Sequence, residues 1–144
     1  MSADSTWFYW AVMSAIFAAL TAIFAKIGIQ NVDSDLATLV RTAIILVVLS
    51  GFVIYAHKWS NPLQLSGKTW AFLVLSGLAT GASWVCYFRA LKIGDASKVA
   101  PVDKLSVILV AIFAVIFLGE RPSVRDWFGI AFVAGGIVIL GLKR

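Results

Sequence analysis

WVCYFRALKIGDASKVAPVDKLSVILVAIFAVIFLGER, residues 84–121, runs from an apolar segment through a short polar break into a second apolar segment. A helix that crosses a bilayer needs about 20 mostly apolar residues. The segment after the break meets that need over about residues 97–118 and closes on Gly119, with Pro122 beyond. Its start has two readings. Ala100 as N-cap, Pro101 at the first helical position and Asp103 in the first turn make one start signal. Alternatively the small-residue run 96–100 is already helical and Pro101 bends the helix one turn in.

Outward from this stretch the same pattern recurs. Apolar runs at about 7–29, 36–55, 70–91 and 127–142 complete a set of five. The first opens on Trp7, Tyr9 and Trp10, an interfacial aromatic belt. Ala11, Ala15, Ala18, Ala22 and Ala25 then line one helical face, and Gly77 and Gly81 form a G-x-x-x-G in the third run. Small residues of this kind let another backbone approach closely. Asp33-Ser34-Asp35 gives the second run an N-cap cluster. The reading is an all-α integral membrane bundle of five transmembrane helices, one domain over residues 1–144. Links are short, and the longest, 56–69, carries Pro62 and Gly67.

Composition agrees. Apolar residues make up 61% of the 144 and charged residues 13%, about half the share usual in a soluble domain. A chain this short cannot hide so much apolar surface in one core, so the bilayer must act as solvent. The net charge of +5 would fit nucleic acid if the basic residues formed one patch. They sit instead at the edges of the apolar runs, as loops facing an anionic leaflet would place them, and no nucleic-acid partner is expected. Cys86 is the only cysteine and His57 the only histidine, which leaves no disulfide and no Cys/His metal spacing. The N-terminus lacks the basic start of a signal peptide, and the first run reads as a retained span.

Basic residues also orient the chain. Lys26, Arg41, Arg89, Lys92, Lys98, Lys104, Lys143 and Arg144 fall on one side, against Lys58, Lys68, Arg121 and Arg125 on the other. The imbalance favours the N-terminus outside and the C-terminus in the cytoplasm.

Residues 84–121 are also where a family resemblance lies. The aromatic third span ending in Arg89-Ala90-Leu91, the small-residue link 94–97, the fourth span closing on Gly119-Glu120-Arg121 and the glycine-rich last helix resemble the repeat of the EamA branch of the drug/metabolite transporter superfamily. Lys26 closing the first span and Arg41 early in the second extend the resemblance over nearly the whole chain. Ten-helix relatives carry two such units in inverted orientation, with substrate between them. The resemblance therefore implies half of a ten-helix inverted-repeat transporter, in a bacterial-type inner (plasma) membrane. It implies secondary transport of a small metabolite or drug-like solute by alternating access, with the first, third and fourth spans lining the path. A homodimer or a related inverted partner would complete the unit. The rival readings are a non-transporting membrane subunit or assembly partner, and a small dimeric channel. The charged pair in Ala100-Pro101-Val102-Asp103-Lys104 departs from the mostly apolar pattern of relatives.

Ionisable residues inside a membrane are costly and point to function by default, so Asp103 and Lys104 are the first candidates for a substrate or ion path. Neighbours on a helix point about 100° apart, so the two are expected to face different partners. The alternative is a first-turn acid and a snorkelling lysine. Trp84 and Tyr87, with Ser83 and Thr80 on the same helix as a polar stripe, and Ser14 with Thr21 a heptad apart, are further path candidates. The hydroxyls can equally bond their own backbone carbonyls. Lys26, Arg41 and Arg89 gather at one mouth, where structural ion pairs or snorkelling anchors explain them more simply than substrate binding. Glu120 reads as a loop-organising carboxylate. No nucleophile–base pair, paired carboxylates or phosphate-binding glycine loop is present. Neither an enzyme nor a cofactor is expected. Topology reporters placed after Arg144 and within residues 61–68 should lie on opposite sides of the membrane; both on one side would eliminate the five-span reading.

Overall fold

A computed structural model describes residues 3–141, with side chains from residue 6. The basic pair Lys143-Arg144, counted above among the orienting charges, lies outside the described residues. Within them the chain is all helix, without strands. Five helices are long and apolar enough to cross a membrane: Thr6–Gly28, Ser34–Tyr55, Gly67–Ile93, Ala96–Leu118 and Val124–Gly141. No more than 6% of the residues in any span's apolar core are buried inside the protein, which fits side chains solvated by lipid tails. The chain divides into two compact units, one ending at Ile93 and the other starting at Gly94.

In the first unit, helix α1 (Ala3–Gly28) packs on α3 (Gly67–Ile93), and α3 packs on α2 (Ser34–Tyr55). Asp33 caps α2 as the acid cluster predicts. Its carboxylate accepts from the amides of Asp35 at 2.9 Å and Leu36 at 3.1 Å, satisfying donors that a helix start leaves open. Helix α3 begins three residues before the predicted Trp70, because Ser66 caps it. The Ser66 Oγ accepts from the Thr69 amide at 3.1 Å. Helix α2 ends with His57 in the left-handed region, at φ 52°, its amide and that of Lys58 donating back to Ile54 and Val53 carbonyls. Glycine usually fills that position.

The small-residue faces are mostly unoccupied. Ala22 is buried and Ala25 half-buried, but Ala11, Ala15 and Ala18 are exposed. A Cβ added at Gly77 or Gly81 would meet nothing within 4 Å. The G-x-x-x-G therefore does not mediate close packing inside this chain.

In the second unit the fourth span is built from α4 (Ala96–Asp103), α5 (Ser106–Phe113) and a π-helical turn, Ala114–Leu118. The helix starts before Pro101, which removes the reading with Ala100 as N-cap. The break does not fall on Pro101 itself. Pro101 offers no amide to the turn before it, and the strain resolves at Lys104 and Leu105, whose amides bond three residues back, to Pro101 and Val102. Gly119, at φ 67°, ends the π turn in the left-handed region, and the Glu120 amide donates to the Ala114 carbonyl at 3.2 Å.

The last helix, α6 (Val124–Gly141), packs on α4 and α5. It begins three residues before the predicted Trp127, on a reciprocal cap. The Ser123 amide donates to Asp126 Oδ2 at 2.8 Å, and the Asp126 amide donates to Ser123 Oγ at 3.2 Å. The carboxylate that organises this loop is thus Asp126, where the sequence pointed to Glu120. Two substitutions separate backbone conformation from packing. Gly119→Val should lower stability by about 1–2 kcal/mol and His57→Gly should raise it by up to about 1 kcal/mol, read from thermal denaturation in mild detergent.

Candidate functional site

Among the described residues, every buried one of the first unit lies toward one end: Ala22, Ile29, Ser34, Thr38, Phe88 and Leu91. Four basic side chains reach across helices there. Lys26, in the last turn of α1, donates to the Leu91 carbonyl of α3 at 2.6 Å. That carbonyl belongs to the last turn of α3, where the helix leaves acceptors open, and a cation there also meets the negative end of the dipole. Lys92, in the last turn of α3, donates to the Val32 carbonyl in the α1–α2 link. Arg89 grips Asp35 of α2 with two donors, Nε to Oδ1 at 2.9 Å and Nη2 to Oδ2 at 2.5 Å. This two-pronged geometry is the strong form of the pair.

Arg41 is the fourth and differs from the others. It lies seven residues into α2, about 10 Å along the helix, and is half-buried. Its guanidinium carbon sits over the Trp84 ring at 4.4 Å and near the Phe88 ring at 5.3 Å, both on α3. Such cation–π contacts contribute about 0.5–2 kcal/mol. Tyr87 is half-buried beside them, its ring 6.5 Å from that of Phe88.

The structure thus brings together Lys26, Arg41, Arg89 and Trp84 among the sequence candidates, with Tyr87 at the margin. Ser83 and Ser14 are exposed on their helices. Thr80 bonds its own helix, Oγ1 to the Ser76 carbonyl at 2.8 Å, so the polar stripe is partly spent on backbone. Asp35 was read as part of a cap cluster, Lys92 as an orienting charge and Phe88 as part of an aromatic segment, and none was given a place in the site. A lysine in the last helical turn and an acid in the first turn of the next helix are the signals that could have found them.

In the second unit Asp103 and Lys104 pair with each other, Nζ to Oδ2 at 3.3 Å. This corrects the expectation of separate partners. The 100° rule holds only in a continuous helix, and Lys104 sits at the break, with φ −73° and ψ 0°. The two side chains remain 54% and 37% exposed, lysine first, so their own unit does not wall them off. The pair lies about 10 Å from the start of α4. Among the described residues no group of His, Cys, Asp and Glu is arranged to hold a metal ion.

Apolar helices of spanning length, with charges and a helix break inside them, define a helical integral membrane protein. Comparison with known proteins narrows this. The family model of the EamA-like transporter family matches residues 5–142. The uncharacterized transporter in the cobO 3′ region of Sinorhizobium sp is 55% identical over 96% of this chain and 99% of its own length. The Bacillus subtilis (strain 168) transporter YxxF is 24% identical over 94% of this chain, which spans 42% of that relative. A probable 4-amino-4-deoxy-L-arabinose-phosphoundecaprenol flippase subunit, ArnE of Pseudomonas fluorescens (strain Pf0-1), is 27% identical over 60% of this chain and 68% of its own length. No solved structure matches significantly. The chain belongs to the EamA-like transporter family.

The Arg89–Asp35 pair yields a direct test. Reversing either charge alone should reduce the amount of folded protein recovered in mild detergent. The double swap, Arg89→Asp with Asp35→Arg, should recover more than either single change, because two like charges no longer face each other.

Proposed function

We propose that the chain is a secondary transporter that moves a small metabolite or drug-like solute across a bacterial-type inner membrane by alternating access. The observation that carries this reading is the Asp103–Lys104 pair at the break of the fourth span. Charges inside a spanning segment are costly unless they serve a path or a partner. Broken helices are how transporters expose backbone and charge to a solute at depth. Asp103 and Lys104 in the second unit, and Trp84, Tyr87, Ser83 and Ser14 in the first, are the path residues of this proposal. Lys26, Arg41 and Arg89 stand at the mouth. Residues 1–144 act as one transport domain.

The N-terminus is placed outside and the C-terminus in the cytoplasm, supported by the uneven share of basic residues. The working unit is proposed to be a homodimer or a pair with a related inverted partner. Its support is that ten-helix relatives use two inverted halves, while the Sinorhizobium relative is matched over 99% of its length by this chain. A second reading is that the chain is one subunit of a larger transporter, favoured by the description of the ArnE relatives as flippase subunits. Flux by the purified chain alone separates the two.

In proteoliposomes screened with labelled metabolites, Asp103→Asn should abolish flux while the amount of inserted protein stays unchanged. Asp126→Asn, which weakens a helix cap, should lower the amount of folded protein instead. Full flux by Asp103→Asn would reduce that residue to part of a helix break.

A further inference from the structure

The cations at the packed end of the first unit are not equivalent. Lys26 and Lys92 each hold a backbone carbonyl, and Arg89 holds both oxygens of Asp35. Asp33, the other carboxylate of this end, is spent on the amides that start α2. Arg41 has aromatic rings on either contact and no carboxylate within ion-pair distance among the described residues. A ring contact engages the face of a guanidinium, while its five N–H donors lie in the plane. No buried side-chain polar atom among the described residues lacks a hydrogen-bond partner, so the unspent Arg41 donors open outward rather than into the core.

We propose that Arg41, resting against the Trp84 and Phe88 rings, binds a phosphate group. The inference deepens the transporter reading and rests on it, since it assigns the mouth of the first unit a phosphate-bearing ligand. A guanidinium resting against two rings of one helix, with no described carboxylate in ion-pair reach, keeps its planar fork available, and that fork matches two oxygens of an oxyanion. Charge balance selects phosphate over a carboxylate. Lys26, Arg41, Arg89 and Lys92 stand against Asp33 and Asp35, an excess of two positive charges that suits a dianion. Half-burial strengthens the attraction over that of a fully solvated arginine. The group belongs either to a soluble phosphorylated solute or to a lipid headgroup.

The test uses the full chain in uncharged maltoside micelles, with thermal denaturation as readout. Inorganic phosphate should raise the melting temperature saturably, beyond sodium chloride of equal ionic strength. Arg41→Gln should weaken the apparent affinity at least about tenfold, and Arg41→Lys, which keeps the charge and loses the fork, should weaken it as well. Should the glutamine variant not fold, the lysine variant carries the test. Lys58→Gln, which removes a charge from the loop after α2, should bind phosphate like the wild type.

Phosphatidic acid, a lipid phosphate monoester, added to the same micelles identifies the source. Protection by inorganic phosphate assigns the site to a soluble solute, and Arg41-dependent protection by the lipid alone assigns it to a headgroup. No protection by either probe, or protection that survives both Arg41 substitutions, overturns the proposal. Binding is read here without flux. A chain that binds phosphate and moves no solute would refute the transporter reading and leave this site standing, and the reverse result would do the opposite.

Discussion

Basic side chains that reach oxygens on neighbouring helices are what the first unit depends on for its packing. Lipid tails are as apolar as leucine, so burying apolar surface drives helices together far less than it does in water. The first unit shows the consequence: nearly all its large apolar side chains are exposed, and its buried residues gather at one end. At that end Lys26, Lys92 and Arg89 tie α1, α2 and α3 through carbonyl and carboxylate oxygens. Interhelical hydrogen bonds in membranes contribute about 0.6–2 kcal/mol each. A handful of them outweighs the few buried side chains in deciding how these helices meet.

The same residues explain how a knot at one end coexists with function. Charges in or near a bilayer must find partners, and the chain sets three of its four mouth cations on oxygens of its own. That leaves Arg41, steadied by aromatic rings, with its in-plane donors unspent. In the second unit the Asp103–Lys104 pair meets the same need by a different route, at a break that lets adjacent residues face each other. Polar groups are thus concentrated where helices end or break, and the stretches between are given over to lipid.

Much of this could be read from the sequence. The apolar runs located all five helices, and Asp33 identified the start of α2, because a carboxylate there answers open amides. The order of Arg89-Ala90-Leu91, the link and Gly119-Glu120-Arg121 carried the family. Helix starts at Gly67 and Val124 were missed by three residues, since hydropathy sees side chains and not caps; Ser66 and the pair Ser123 and Asp126 held the information. Arg41 and Arg89 were expected to serve as anchors or ion pairs; Arg89 pairs with Asp35, whereas Arg41 lies against rings. What the sequence could not show was choice of partner. That Lys26 takes the Leu91 carbonyl, that Arg89 takes Asp35 and that Arg41 takes rings depends on how α1, α2 and α3 meet, which periodicity does not encode. The pairing of Asp103 with Lys104 was hidden for a related reason, because the break falls beyond Pro101.

The central claim is that the cation contacts, more than apolar packing, hold the first unit together at one end. Electron–electron resonance distances in lipid test it most directly, with spin labels at Asn31 and Ile93 for the tied end and at Tyr55 and Ser66 for the opposite end. The account predicts a narrow distance distribution at the tied end that broadens in Arg89→Gln with Lys92→Gln, and little change at the other. Equal widths at both ends, unmoved by losing the two cations, would contradict it.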